Sequence, residues 1–264
     1  MIWLAVYAFT GAAIGFFAGL LGVGGGMTLV PILAAMFTAQ ALSADHTVHL
    51  ALATAMASAA ITSSASVREH HRLGAVDWAV VKRVLPGMMT GSLLSTLASG
   101  WFTQRALAIA FAVIVYLAAT QMLLGKKPHA ARALPTAIPL FFIGACIGVF
   151  SGLVSAGGTF LLMPVMLYCG IAMHTAIGTG AAIGIPVTFI GTLGYIAAGW
   201  RVTGLPEFHL GFVFIPALIA LVAGSLITAP FGARMAHRLP VMTLKRIFAL
   251  VMFLLASKML LTYW

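Results

Sequence analysis

The charged residues of this chain are confined to short connectors, and the stretches between them contain no Asp, Glu, Lys or Arg. A helix crosses the apolar core of a bilayer with about 20 residues, and several of these stretches are long enough to do so. The charge-free intervals are 1–44, 46–67, 84–104, 106–125, 133–200, 208–233 and 247–257. Division of the longer intervals at Gly, Pro and polar clusters predicts eight hydrophobic segments. They lie near residues 2–39, 48–67, 78–98, 104–124, 138–169, 175–198, 209–230 and 243–262.

The composition excludes a soluble protein. Of the 264 residues, 62% are hydrophobic and 7% are charged, and the mean hydropathy is +1.12. Soluble domains carry about 25% charged residues, which they need to cover their surface. We therefore predict an all-α polytopic membrane protein.

The net charge of +10 reflects 14 Lys and Arg residues against four Asp and Glu residues. The basic residues lie in connectors between apolar segments, where the positive-inside rule accounts for them. Nucleic-acid binding is therefore not predicted. The four acidic residues also lie in connectors or at segment ends, which disfavours a cation as substrate, because cation carriers usually keep a carboxylate in the membrane. They are Asp45, Glu69, Asp77 and Glu207.

An internal repeat organises the chain. Residues 11–31 align without gaps on residues 144–164, and 11 of the 21 positions are identical at an offset of 133. We predict two homologous four-segment halves, 1–127 and 133–264, joined by a basic linker at 128–132.

The first segment of each half is interrupted by glycines, at 22–26 and at 157–158. About a dozen residues follow the first break, which is half a bilayer at about 1.5 Å per residue. Paired interrupted segments point to a transporter site near the midplane. If each broken segment enters and leaves on one face, or crosses twice, the halves form an inverted repeat and the basic connectors after segments 2 and 7 share a side.

The glycine breaks are the predicted site for a small anion. A helix that restarts after a break presents unpaired N–H groups and the positive end of its dipole. Thr54 and Thr179 occupy matching places early in segments 2 and 6, where a hydroxyl either lines the site or bonds the helix backbone. The competing interpretation is helix packing, which we expect for the triads Gly11, Gly15, Gly19 and Gly144, Gly148, Gly152. The predicted binding residues are Gly24, Gly25, Gly26, Gly157, Gly158, Thr159, Thr54 and Thr179.

His46, His49 and His174 lie at the entrances of segments 2 and 6. A histidine titrates near neutrality, so these residues are candidates for proton coupling, or else interfacial anchors. The sequence predicts neither a cofactor nor a metal, since the two cysteines are isolated and no Cys/His cluster occurs. No GxxxxGK[ST], HExxH or GxSxG motif is present either, so transport would be secondary, channel-like or driven by a partner.

The chain resembles the sulfite exporter TauE/SafE family. The resemblance rests on residues 15–31 (GFFAGLLGVGGGMTLVP), their degenerate copy ending at Pro164, and the connector 71–77 (HRLGAVD), and it covers essentially the whole chain. It implies a multi-pass, all-helical protein of the bacterial inner membrane that moves sulfite, sulfonates or related organosulfur anions, usually outward. The family often has Thr-Ser where this chain has Thr54-Ala55, so a specific substrate does not follow.

We predict a secondary transporter of a small anion, with sulfite or an organosulfonate as the expected substrate, working by alternating access in the lipid bilayer. The alternative is a membrane accessory or assembly subunit that transports nothing and depends on its basic connectors. A membrane enzyme is the third interpretation, and no catalytic constellation supports it. The oligomeric state stays open.

Overall fold

The computed structural model describes residues 2–21, 25–124, 135–236 and 241–263, and ten α-helices lie in this part of the chain. Gly24, which is a predicted binding residue, and the predicted linker 128–132 lie outside the described residues. The helices are α1 (Ile2–Leu21), α2 (Gly26–Ala39), α3 (Thr47–Arg72), α4 (Trp78–Ala98), α5 (Gln104–Leu124), α6 (Ala137–Val154), α7 (Thr159–Tyr168), α8 (Met173–Gly199), α9 (Ile215–Ala236) and α10 (Val241–Tyr263). A 3₁₀ turn, Ser99–Trp101, precedes α5.

Six of the described helices, α1, α3, α5, α6, α8 and α9, are long and apolar enough to cross a membrane. The predicted segment 78–98 forms α4, which is not among them because Lys82 and Arg83 lower the hydropathy of its first turns. Helix α10 contains a shorter apolar stretch, Ala249–Tyr263, which is not counted among these six helices. The protein is thus a helical, multi-pass membrane protein.

The predicted start of the seventh segment at residue 209 is wrong. Two short antiparallel strands, β1 (His209–Leu210) and β2 (Val213–Phe214), come first, with His209 opposite Phe214. The turn between them places Gly211 at φ +56°, a conformation that glycine adopts without strain. Helix α9 begins only at Ile215, with Pro216 in its first turn, where the missing N–H of proline costs nothing.

The first hydrophobic segment is interrupted, as predicted, and it folds back on itself. Helix α1 ends at Leu21 and α2 begins at Gly26. The rings of Tyr7 and Phe37 lie 6.2 Å apart, and Gln40 at the end of α2 donates to the Tyr7 hydroxyl. The chain therefore returns to the end of α1 from which it started.

The fifth segment has the same construction. Helix α6 ends at Val154 and α7 begins at Thr159. Leu140 near the start of α6 and Cys169 just after α7 line one small apolar cleft, so α7 also runs back along the preceding helix.

Glycines let the broken helices pack closely on their neighbours, which confirms the packing role expected for the two triads. A Cβ built on Gly11 or Gly19 would lie 2.1 or 2.0 Å from a backbone oxygen of α9. A Cβ on Gly148 would lie 2.2 Å from the Met88 oxygen of α4. Only glycine permits backbones to approach in this way. Helix α1 therefore packs along α9, and α6 packs along α4.

Helices α3 and α8 cross the centre of the molecule side by side and run antiparallel. Met56 of α3 contacts Gly191 of α8, and further along α3 Ser63 lies near Gly184. The residue numbers on α8 decrease as those on α3 increase, so the two helices run in opposite directions. The first residues of the two helices therefore lie at opposite ends of the bundle.

An ion-pair cluster joins the far ends of α3 and α9. The Glu69 carboxylate is 2.8 Å from Arg72 and 3.3 Å from Arg234. This contact brings the basic connector after α3 and the basic end of α9 to the same end of the bundle.

Candidate functional site

The two helix restarts have the same backbone geometry. Gly25 precedes α2 with φ +70°, and Gly158 precedes α7 with φ +76°. Both values lie in the left-handed region, where a residue with a Cβ is strained by about 1–2 kcal/mol. The positions differ by the repeat offset of 133, so the local backbone recurs where the sequence repeats.

The breaks meet in three dimensions. A Cβ on Gly26 would lie 1.9 Å from the backbone oxygen of Ser155, at the other break, and 3.4 Å from the Ala59 Cβ on α3. A Cβ on Gly157 would lie 2.7 Å from the Gly184 Cα on α8. We call this region, formed by 25–26, 155–158, Ala59 and Gly184, the break junction.

The break junction lies at mid-depth in the bundle. Ala59 and Gly184 are near the midpoints of α3 and α8, each of which is long enough to cross a membrane. A bilayer surrounding these helices would place the junction close to its midplane. This depth matches the position at which discontinuous helices bind substrates in secondary transporters.

The helix starts at the junction offer backbone hydrogen-bond donors, which can bind an anion without a cationic side chain. The first turns of α2 and α7 carry N–H groups that have no partner within their helix, and both helix dipoles have their positive ends here. Thr159 contributes its backbone as the first residue of α7. Among the described residues, no group of three His, Cys, Asp or Glu is placed to hold a metal ion.

Ser155 is a junction residue that sequence reasoning missed. It ends α6 in the left-handed region at φ 54°, and its hydroxyl donates to the Leu52 oxygen of α3 over 2.7 Å. The signal for it was the alignment, in which Ser155 takes the place of Gly22. A serine in the left-handed region persists only where surrounding contacts hold it.

Thr54 and Thr179 are fully buried, and their hydroxyl oxygens accept backbone hydrogen bonds outside the breaks. The Phe214 N–H donates to Thr54 over 3.0 Å, and the Asp77 N–H donates to Thr179 over 2.9 Å. Phe214 immediately precedes α9, and Asp77 immediately precedes α4. Each threonine thus fixes the start of a helix that packs against a broken segment.

The three candidate histidines divide into two groups. His46 and His49 lie together at the start of α3, with ring centroids 5.3 Å apart. His174 is exposed at the start of α8, which is the opposite end of the bundle because α3 and α8 are antiparallel.

Two helical hairpins restart at left-handed glycines and meet at mid-depth in an apolar bundle, an arrangement that is typical of the transporter class of multi-pass membrane proteins. A family model agrees with this class. It matches residues 7–259 and describes the sulfite exporter TauE/SafE family. The chain belongs to this family.

Three relatives carry a similar general description. A probable membrane transporter protein of Haemophilus influenzae is 33% identical over 252 residues, covering 95% of this chain and 96% of the relative. The probable membrane transporter protein YdhB of Bacillus subtilis is 24% identical and covers 88% of this chain and 90% of its own length. A probable membrane transporter protein of Methanocaldococcus jannaschii is 22% identical, with coverages of 90% and 88%. No solved structure matches the chain. The family and the names of these relatives indicate that the protein is a membrane transporter.

Proposed function

We propose that this protein is a secondary exporter of a small anion, sulfite or an organosulfonate, and that the anion binds at the break junction. The observation that carries the proposal is the meeting of two glycine-started helices, α2 and α7, at mid-depth in the bundle. The family name supports the sulfur oxyanion as the substrate class.

The chemistry of the junction suits an oxyanion. Backbone N–H groups at a helix start donate to the oxygens of an anion, and glycines let the backbone approach closely because no Cβ intervenes. A site without lysine or arginine binds a singly or doubly charged anion with only moderate affinity. Transport requires this, because the anion must also leave.

Two inverted halves supply the mechanism in this proposal. The supporting observations are the 133-residue offset, the paired left-handed glycines and the antiparallel α3 and α8. The hydrogen bonds of Thr54 and Thr179 cross between the halves in matching fashion. Each broken hairpin also packs on a helix of the other half, α1 on α9 and α6 on α4. Alternating access then follows from rocking of these two packed groups around the junction.

Charge placement gives the orientation. The end that holds Arg68, Arg72 and Arg234 is the basic end, and the positive-inside rule assigns it to the cytoplasm. We place the protein in the cell inner membrane with this end inside. The start of α3 then faces outward.

The test compares glycines of equal backbone strain. Gly25→Ala adds a methyl group at the start of α2 against the side chains of Ala18 and Ile14, and Gly158→Ala adds one at the start of α7 against the end of the Met88 side chain. Gly74→Ala and Gly204→Ala add one at exposed glycines of similar φ, +69° and +79°, with no atom within 4 Å. All four variants carry about 1–2 kcal/mol of left-handed strain, so strain alone cannot separate them. Radiolabelled sulfite flux is measured in proteoliposomes after gel filtration has verified folded protein.

We expect flux to fall at least about tenfold in the junction variants and to change little in the controls. The larger replacements Gly25→Leu and Gly158→Leu should abolish flux while folded protein remains in the membrane. Equal flux in all the variants would refute the junction as the binding site. Dependence of function on the basic connectors 68–83 and 234–246, with dispensable glycine breaks, would instead favour an accessory subunit.

A further inference from the structure

One buried hydroxyl beside the break junction has no hydrogen-bond partner among the described residues. It belongs to Ser58, near the middle of α3, and this residue is 1% exposed. Buried polar groups in native proteins are almost always paired, because an unpaired one has lost its hydrogen bonds to water. The hydroxyl therefore indicates a binding partner from outside the chain, and its O–H is available to donate.

The neighbouring hydroxyls of α3 show which way Ser58 faces. Thr54, Ser58 and Thr62 are spaced by four residues, so they share one face of the helix. The Phe214 N–H, just before α9, donates to Thr54 over 3.0 Å. The Thr62 hydroxyl lies 2.6 Å from the Ser225 hydroxyl on α9. Ser58 lies between these two contacts and therefore faces α9.

The same part of α3 borders the start of α2. Ala59 follows Ser58, and its Cβ lies 3.4 Å from a Cβ built on Gly26. On the α9 side, a Cβ built on Gly15 of α1 would lie 2.6 Å from the Ser225 Cα. Side chains of the same turn of α1 pack against the glycine that precedes α2. The unpaired hydroxyl thus lies where α3, α9 and the start of α2 come together.

The second half of the chain has apolar groups at the matching places. The offset of 125 that relates the two buried threonines also relates α3 to α8, and it pairs Ser58 with Ile183 and Thr62 with Val187. Both of these α8 residues are fully buried. The Val187 backbone oxygen accepts from the Ser92 hydroxyl of α4 over 3.2 Å. The arrangement at the α2 start is therefore not repeated at the α7 start.

A methionine covers the start of α7. A Cβ built on Gly158 would lie 2.1 Å from the terminal methyl carbon of Met88 on α4. At Gly25, which precedes α2, the nearest side chains are Ile14 and Ala18 of α1. A methyl group neither donates nor accepts a hydrogen bond, so the α7 start offers an anion less than the α2 start does.

We propose that the transported anion binds at the start of α2 and that the Ser58 hydroxyl donates a hydrogen bond to it. This inference rests on the proposed function and assigns the anion to one of the two breaks. The first N–H groups of α2 supply the other donors. Sulfite and a sulfonate both carry three oxygens on one sulfur, which suits one hydroxyl together with two N–H groups. The hydrogen bond between Thr62 and Ser225 holds α3 against α9 one turn away and so fixes the position of Ser58.

The variant Ser58→Ala separates anion binding from stability. The full-length protein in nanodiscs is titrated with ³⁵S-sulfite, and Tm is measured without the anion. We expect the Kd for sulfite to rise at least about tenfold, because a hydrogen bond to a charged group is lost. The Tm should stay the same or rise, since the removed hydroxyl has no partner and alanine favours a helix.

Ser92→Ala is the matched control, because Ser92 takes the place of Ser225 at the offset of 133 and its hydroxyl is paired. It should lower Tm and leave the Kd within about twofold of the wild-type value. A Kd for Ser58→Ala equal to that of the wild type would overturn the proposal and leave a bound water as the partner. A fall in Tm as large as that of Ser92→Ala would overturn it too, because Ser58 would then hold a structural hydrogen bond.

The second test needs no transported substrate. Ser58→Cys and its counterpart Ile183→Cys are compared in full-length protein that also carries Cys146→Ser and Cys169→Ser, which remove the two free cysteines. The probe is 2-sulfonatoethyl methanethiosulfonate, an anion with a three-oxygen sulfonate group, which forms a mixed disulfide with a thiolate and releases methanesulfinate. We expect Ser58→Cys to react at least about tenfold faster in proteoliposomes, and 2-hydroxyethanesulfonate should slow the reaction. Equal rates, or no reaction of Ser58→Cys, would overturn the proposal.

The outcomes separate this inference from the proposed function. Sulfite flux that is unchanged in Ser58→Ala would overturn the role of Ser58 and leave the exporter intact. Selective labelling of Ser58→Cys in a protein that neither binds nor moves sulfite would support the anion site and count against sulfite as the substrate. Absence of both labelling and sulfite binding would overturn the two together.

Discussion

Gly157 and Gly184 face each other where the second break meets α8, and they differ in the room available to a side chain. A Cβ on Gly157 would lie 2.7 Å from the Gly184 Cα, whereas a Cβ on Gly184 would lie 3.7 Å from the Gly157 Cα. Carbon atoms attract one another best at about 3.5–4.0 Å, so the second distance is an ordinary contact and the first is a clash. The obstructing atom is backbone, which cannot rotate away.

The energies of the two alanine variants should therefore have opposite signs. Overpacking by Gly157→Ala costs about 1–3 kcal/mol, because α6, α7 or α8 must shift. Gly184 lies inside a helix, where alanine is favoured over glycine by about 1 kcal/mol. Each variant replaces one glycine hydrogen by a methyl group, at one of two facing positions. The free energies of unfolding of the two variants should therefore differ by about 2–4 kcal/mol.

Thermal unfolding of the purified protein in nanodiscs, with sulfite flux measured alongside, checks this expectation. Gly157→Ala should lower Tm and flux, and Gly184→Ala should keep or raise Tm. Gly204→Ala, in open space, controls for the expression and handling of variants. A Tm for Gly157→Ala at or above that of the wild type would refute the reasoning. An equal loss of Tm in both variants would refute it as well.

Three further predictions concern buried hydroxyl groups and the ion-pair cluster. Thr54→Val and Thr179→Val each leave a backbone N–H without its acceptor, and should lower the unfolding free energy by about 1–3 kcal/mol, while serine at either position restores Tm. Glu69→Gln should weaken the contact with Arg234 by about 1 kcal/mol or less, since the arginine side chain is 57% exposed, and a double-mutant cycle should show the coupling shrinking in high salt. Tyr195→Phe removes a buried hydrogen bond to a backbone oxygen and should cost about 0.5–1.5 kcal/mol in the same unfolding assay.

Local patterns in the sequence predict where the helices lie in the chain, but they do not predict which distant residues the helices contact. The charge-free intervals overlap each of the long helices that the structure describes, because burial in lipid acts on each segment by its own composition. The exception at 209–214 is instructive, since the apolar run there continues into a hairpin. Phe212 is fully buried, and the Phe214 N–H is paired with Thr54, so contacts from α3 select strands where composition alone suggests a helix.

The candidate site was partly predictable for the same reason. Glycines at 25–26 and 157–158 mark the breaks, because consecutive glycines end a helix through their own conformational freedom. Their contact with Ser155, Ala59 and Gly184 was not predictable, since those residues are remote in the chain and unremarkable by type.

The sequence by itself determined that the chain lies in a membrane, that two glycine-interrupted segments recur at a fixed offset, and that no acidic group lies deep in a span. These properties depend on the free energy of transferring each segment into lipid and on the backbone freedom of glycine, which are local quantities. The tertiary structure alone decided that both breaks meet at mid-depth, that α3 and α8 run antiparallel, and that His46 and His49 lie close together at one end of the bundle while His174 lies at the other. Those properties depend on which distant residues pack together, because close packing and hydrogen-bond pairing belong to the arrangement of helices and not to any one of them.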